Sequence, residues 1–162
     1  AAIKGTKING EDFIDDVSKI ANVIILTSFS VSNIDNKSTI FVQTRNVREL
    51  MGEISSILYP NSIKDKIAIT GTNGKTSIAH YVSELSSKQF ISNAIFGTLG
   101  VLFNKNKFAE TNLTTPDVIT NHRLLNKLNK KECERVIFEA SSIGLHQKRL
   151  QNIYFDKLDI TK

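Results

Sequence analysis

The sequence predicts an α/β protein whose larger part is a parallel sheet with helices on its faces, and three observations point there. Residues 66–82, KIAITGTNGKTSIAHYV, run from β-branched apolar residues through a Gly-Thr-Asn-Gly-Lys-Thr turn into a helical pattern. Arg135-Val136-Ile137-Phe138-Glu139 reads as a second apolar strand with an acid at its carboxyl end. Helical periodicity recurs between the strand-like runs, as strand–helix–strand units require.

Glu11 to Ala21 sets Phe13, Ile14, Val17 and Ile20 at helical spacing among acids, which predicts an amphipathic helix. Val23 to Leu26 reads as a buried strand and Thr39 to Val42 as another. Asn46, followed three positions later by Glu49, resembles a capping box. It opens a helix whose apolar face is Val47, Leu50, Ile54, Ile57 and Leu58, and Pro60 ends that helix. The segment from Pro60 to Asp65 is polar and turn-rich, so the predicted domain boundary divides 1–64 from 65–162.

A strand of Ile67, Ala68 and Ile69 delivers the backbone to Thr70, and the helix starting near Thr76 is expected to bury Ile78, Val82 and Leu85. Gly71 and Gly74 allow positive φ and close approach, so successive N–H groups can converge on an anion at a helix N-terminus. Phosphate suits that geometry: Lys75 would meet the outer phosphates of a nucleotide and the Thr76 hydroxyl the accompanying magnesium. Ile69 stands where the general pattern G-x-x-x-x-G-K-[ST] has its first glycine, so the loop is only a partial match. The plainer reading is a strand-to-helix connector with a solvated lysine.

Asn93 to Phe96 reads as a strand, followed by a hairpin turning at Asn104-Lys105-Asn106. Thr115 as N-cap with Pro116 at the first helical position predicts a helix carrying Val118, Leu125 and Leu128. Glu139 ends its strand where ligands gather in open parallel sheets, the end at which the phosphate loop also lies.

The net charge of +5 over 162 residues is spread along the chain without a run of five basic residues, which favours a solvated surface over a nucleic-acid partner. Apolar runs such as Val23 to Leu26 are too short to span a bilayer, and no secretory apolar region opens the chain. The single cysteine, Cys133, forms no intramolecular disulfide and suits a reducing cytoplasm. His80, His122 and His146 lack metal-ligand spacing and read as surface or helix-flank residues.

Three segments, GTNGKT at 71–76, LTTPD at 113–117 and EASSIGLHQKR at 139–149, resemble in type and order the motifs of the Mur ligases. Upstream, AIKGTKINGEDFI at 2–14 is similar to the family's uridine-nucleotide domain, and NVRELMGEISSILYPN at 46–61 to the helix leading into its ATP-binding domain. The resemblance implies a partial uridine-nucleotide-binding α/β domain over 1–64, then part of a P-loop parallel-sheet Mur ligase central domain over 65–162. The implied activity is ATP-dependent amide ligation in peptidoglycan precursor synthesis. It adds a third amino acid, most commonly meso-diaminopimelate, to UDP-N-acetylmuramoyl-L-alanyl-D-glutamate through an acyl phosphate.

Carried over by residue, the resemblance implies that Gly71, Thr72, Asn73, Gly74, Lys75 and Thr76 bind ATP phosphates. Lys75 and Glu139 would be catalytic, and Thr76 and Glu139 would hold Mg2+. Thr114, Thr115, Ser141, Gln147 and Arg149 would bind the muramoyl-peptide substrate. Ile143 stands where the family often has histidine after the two serines. The family continues beyond Lys162 into a Thr-Asn and Asp-His-Leu-Asp-Tyr-His region, a carbamylated lysine and an amino-acid-binding domain, and it has more of the uridine domain before Ala1. The expectation is therefore a fragment inactive alone, whose sheet ends after Phe155 with an open edge that favours self-association or complementary segments. Two other readings are a folylpolyglutamate-synthetase-like ligase, against which LTTPD and Gln147-x-Arg149 argue, and a catalytically silent nucleotide-binding or interaction module.

Overall fold

A computed structural model describes residues 1–3, 5, 8–20, 22–29 and 38–161. Lys4, Thr6, Lys7, Ala21 and Lys162, which belong to segments discussed above, lie outside the described residues. The chain divides into two compact units, Ala1–Met51 and Gly52–Lys162.

In the first unit a 3-10 turn, Gly10–Phe13, runs into α1, Ile14–Ser18, and strands β1, Val23–Thr27, and β2, Thr39–Gln43, pair in parallel. The expected apolar face of the first helix does not form, because Phe13 and Ile20 are exposed and Ser18 is the buried residue of α1. A 3-10 turn of three residues per turn followed by five α-helical residues cannot hold a 3.6-residue stripe on one side. Helix α2, Val47–Leu58, begins directly after Asn46 and runs across the division between the units.

The second unit is built on a six-stranded sheet in the order β6-β5-β4-β7-β3-β8. Its strands are β3, Asp65–Gly71; β4, Asn93–Gly97; β5, Gly100–Phe103; β6, Asn106–Ala109; β7, Arg135–Glu139; and β8, Lys157–Thr161. Strands β4, β7, β3 and β8 run parallel, while β5 and β6 return antiparallel on the β4 side. The β5–β6 turn holds Asn104 and Lys105 at φ 46° and 69°, the paired left-handed conformation of a two-residue hairpin.

Period-two alternation sorts the central strands into two cores. Ile67, Ile69, Ile95 and Ile137 face α3, Lys75–Lys88, through Ala79. Ala68, Ala94, Phe96, Val136 and Phe138 face α4, Val118–Asn129, through Leu124, Leu125 and Leu128. Phe96 and Phe138 stack with centroids 4.3 Å apart, and Phe155 meets Phe138 edge-on at 5.5 Å. At the amino end of the sheet the Arg135 guanidinium pairs with Asp65 at 2.6 Å, across the register that sets Asp65 opposite Arg135.

Helix α3 packs by its small residues. Ala79, Ser83 and Ser86 are buried while Leu85 is 59% exposed, so the expected burial of Leu85 is corrected. Ser83 and Ser86 bond Asn93 and Arg135, which draws the helix onto the sheet along that side. The same correction applies to α2, where Ile54, Ile57 and Leu58 are exposed and Ser55 is buried. A Cβ on Gly52 would overlap the Gln151 side chain, which keeps that face small.

The cap of α4 is Asp117, whose carboxylate accepts from Thr120 N at 3.0 Å, and not Thr115, whose hydroxyl is turned to β7. A strand also lies beyond Phe155: β8 pairs with β3, so the edge expected after Phe155 is occupied. Leu158 and Ile160 in β8 are 64% and 70% exposed. Among the described residues no helix is long and apolar enough to cross a membrane.

His122 is 1% exposed and not a surface residue. It lies on the buried face of α4, where its Nε2 pairs with Gln151 O at 2.9 Å and its Nδ1 has no partner. Burial pulls its pKa below the ordinary 6.5, against a smaller upward pull from the Gln151 carbonyl. The native state therefore favours neutral imidazole, and the resulting stability is complete above pH 6.5 and lost as pH falls through the folded pKa. Thermal melts from pH 8 to pH 5 should show a steeper acid-side loss in the wild type than in His122→Gln, which keeps a donor for Gln151 O. Parallel curves would assign the acid sensitivity elsewhere.

Candidate functional site

The turn after β3 is shaped by what surrounds it. Gly71 has φ 136° and Gly74 φ 80°, both outside the range comfortable for L side chains. A Cβ on Gly71 would also overlap Thr161 O and Oγ1, so the approach of β8 requires glycine there. The Thr161 hydroxyl lies within hydrogen-bonding reach of Thr70 O, at 3.1 Å, and of Asn73 O. Gly74 caps α3 without a side-chain bond to the first turn, and the turn's amides face the loop. Lys75 Nζ donates to Gly71 O at 2.6 Å and to Thr72 O at 3.3 Å, curling over the loop.

Glu139 ends β7 with the parity of Ile137, so its side chain rises on the α3 face beside the loop. The residue is 1% exposed. Its Oε2 accepts from Thr76 Oγ1 at 2.8 Å and Thr98 Oγ1 at 3.1 Å, and its Oε1 from Thr98 N at 3.2 Å. Register brings Gly97 of β4 beside it, and a Cβ there would overlap Oε1. The strand leaves a gap for the carboxylate at Gly97 and grips it at Thr98.

On the other side of β7, Thr115 is fully buried and its Oγ1 donates to Glu139 O at 2.8 Å while accepting from Ser141 N at 2.9 Å. Ser141 caps α5, Ser142–His146, accepting from Gly144 N at 3.1 Å, and its hydroxyl lies 2.9 Å from that of Thr115. Gly144 packs against Thr115 so closely that a Cβ would overlap it. The Arg149 guanidinium donates to Thr115 O at 2.8 Å and to Gln147 Oε1 at 2.7 and 3.0 Å. Asn121 joins this network, donating to Pro116 O and Arg149 O.

A cleft of about 330 Å³ lies at the carboxyl ends of β3, β4 and β7, between the loop and Glu139. Of the residues named from the sequence, Thr72 to Thr76, Thr114, Glu139 and Ser141 line it. Gly71, Thr115, Gln147 and Arg149 do not line it. Ser77 and Thr98 do, and sequence reasoning missed both. The available signal for Thr98 was Gly97-Thr98 closing a strand adjacent to the one ending in Glu139. Thr98 Oγ1 also lies 3.2 Å from Thr114 Oγ1.

No group of three or more His, Cys, Asp or Glu side chains among the described residues could hold a metal unaided. One carboxylate and a hydroxyl 2.8 Å apart beside an amide-lined loop form instead an all-oxygen partial set. That set fits Mg2+, which characteristically takes one or two carboxylates and completes its shell with phosphate oxygens and water. Cys133 takes no part: it is buried below the sheet's far end, and burial pushes its thiol up to about 12.

Residues 69–161 match the family model for the Mur ligase middle domain. The chain is 35% identical over 155 residues to the UDP-N-acetylmuramoyl-L-alanyl-D-glutamate–2,6-diaminopimelate ligase of Rickettsia felis, a match covering 94% of this chain and 29% of that protein. It is 36% identical over 148 residues to the protein of the same name from Rickettsia bellii, covering 90% of this chain and 30% of that one. A solved structure of a UDP-N-acetylmuramoyl-L-alanyl-D-glutamate–2,6-diaminopimelate ligase superposes with a TM-score of 0.69 at 28% identity, over 83% of this chain and 27% of its own. The chain thus spans less than a third of the length of these relatives. From the loop to the end of β8, the match covers the strands and helices that build the cleft, and the chain belongs to the Mur ligase family.

Proposed function

We propose that this chain carries the nucleotide-phosphate and acceptor-binding part of an ATP-dependent amide ligase of peptidoglycan precursor synthesis. The acceptor would be UDP-N-acetylmuramoyl-L-alanyl-D-glutamate and the incoming amine 2,6-diaminopimelate, the pair in the names of its relatives. Residues 1–64 would belong to the uridine-nucleotide domain and 65–162 to the ATP-binding domain, and the setting would be cytoplasmic. The observation that carries the reading is the convergence of a glycine-rich loop, a lysine, a carboxylate and two acceptor-side hydroxyls on one cleft.

The residues divide the work of phosphoryl transfer. Backbone amides at 72–76 and the start of α3 would bind phosphate oxygens of ATP, with the helix dipole adding attraction. Lys75 would leave the carbonyls of Gly71 and Thr72 for the outer phosphates, offsetting charge as the γ-phosphoryl group moves to the acceptor carboxylate. Thr76 and Glu139 would hold Mg2+, which when bound supplies charge neutralisation between nucleotide and acceptor. Thr114 and Ser141 would orient the acceptor from the cleft wall. Thr115, Gln147 and Arg149 would act from behind it, with Thr115 fixing the Glu139–Ser141 backbone and the guanidinium held in plane by Gln147. The acyl phosphate so formed would be attacked by the amine to give the amide and release phosphate.

Two variants test this reading. Lys75→Met keeps the aliphatic stem and removes the charge, and it should weaken ATP binding measured by calorimetry by roughly 1.5–3 kcal/mol, the scale of hydrogen bonds to a charged group. Equal affinity would remove the loop from the nucleotide site. Glu139→Gln should keep the fold, because the Thr76 and Thr98 hydroxyls can turn to accept from the new amide while Thr98 N still meets an oxygen. Its ATP binding should lose most of its dependence on Mg2+. A lowered melting temperature with an unchanged Mg2+ titration would make Glu139 structural.

A further inference from the structure

We infer that Thr98 is a positioning residue that aims the Glu139 carboxylate at the cation, an inference that rests on the cation role of Glu139 proposed above. Glu139 has three hydrogen bonds at its carboxylate, and Thr98 supplies two of them, one from its backbone N–H to Oε1 and one from its hydroxyl to Oε2. The third comes from Thr76 Oγ1. That third bond is the one a cation would perturb, because the Thr76 hydroxyl would then give a lone pair to a cation beside Oε2 while its proton is drawn off the direct line to the carboxylate.

The Thr98 hydroxyl is then the undisturbed side-chain donor that fixes the direction of Oε2. Thr98 has one hydroxyl proton, and giving it to Oε2 leaves its oxygen free to accept from Thr114 Oγ1, 3.2 Å away. A chain Thr114–Thr98–Glu139 therefore runs from the acceptor wall to the cation side, with each hydroxyl donating toward the carboxylate. Gly97 allows this: no side chain stands between β4 and the carboxylate, so the amide and hydroxyl of the next residue reach both of its oxygens. Groups that orient a metal-binding side chain commonly alter metal affinity by ten- to a hundredfold when removed.

Substitution of Thr98 separates the hydroxyl from everything else. Thr98→Val keeps the shape and the backbone N–H on Oε1, and Thr98→Ser keeps the hydroxyl; the melting temperatures show whether the loss of one donor to the buried carboxylate is borne by the fold. The measurement is the ratio of ATP affinity in saturating Mg2+ to that in EDTA, by calorimetry on the full chain, with melting temperatures in parallel. The ratio should fall about tenfold in Thr98→Val and recover in Thr98→Ser. A wild-type ratio in Thr98→Val, or an equal loss in both variants, would overturn the inference. Glu139→Gln measured beside them tells the two failures apart. If Glu139→Gln lowers the ratio and Thr98→Val does not, only the role of Thr98 falls; if Glu139→Gln leaves the ratio unchanged, the cation assignment falls and this inference with it.

Discussion

The burial of one carboxylate at the end of β7 governs the architecture around the cleft. A carboxylate removed from water is tolerated only when its oxygens meet donors, and Glu139 at 1% exposure meets three. Two residues supply these donors, and with Gly97 they constrain α3 and β4. Thr76 must stand at the first turn of α3, Thr98 must follow β4 directly, and Gly97 must lack a side chain. The backbone carbonyl of Glu139 is used as well, since Thr115 holds it from the opposite face and carries Ser141 on the same hydroxyl. One residue thus ties the glycine-rich loop, the neighbouring strand and the segment leading to α4.

The helix faces follow from that requirement. For the Thr76 hydroxyl to reach Oε2 at 2.8 Å, α3 must lie close on the sheet, and bulky side chains on its inner face would lift it. Ala79 at 0% exposure, with Ser83 and Ser86 beside it, allows the approach, and the serines spend their hydroxyls on the Val82 carbonyl, Asn93 and Arg135. The opposite face of the sheet has no such restriction. There Phe96, Phe138 and the leucines of α4 fill the space with large apolar groups, giving a core that anchors β4 and β7 in register.

Much of this was legible because local signals agreed with the tertiary outcome. The strand, glycine turn and helix at 65–88 formed where periodicity set them, and Arg135 to Glu139 is a strand to the residue. Leu85 misled because helical spacing identifies an apolar stripe without saying how near the sheet must come, and proximity selected alanine and serine instead. Thr115 carried a sound capping signal, yet Asp117 could cap equally well, which freed the Thr115 hydroxyl for a buried acceptor that only the fold reveals. Thr98 was missed for a related reason: its place after a strand was readable, but its role comes from a partner 41 positions away. β8 was overlooked because Leu158 and Ile160 alternate with charged residues over too short a run, and its pairing with β3 depends on register rather than composition.

The position of Lys75 shows how the loop can be ordered before it meets an anion. Its ammonium is satisfied by two carbonyls of the loop, so the lysine itself holds the turn in shape across Gly71 and Thr72. A phosphate bound as proposed would have to displace neutral acceptors, and its negative charge would add a Coulomb attraction for the ammonium that the carbonyls lack. The affinity gained is then the difference between these bonds, not the whole of the new one. The Thr161 hydroxyl of β8, within reach of both Thr70 O and Asn73 O, gives the loop a tie that does not involve the lysine. The turn is thus tied twice, by its own lysine and from the sheet edge, and only the first tie is given up when the lysine follows charge.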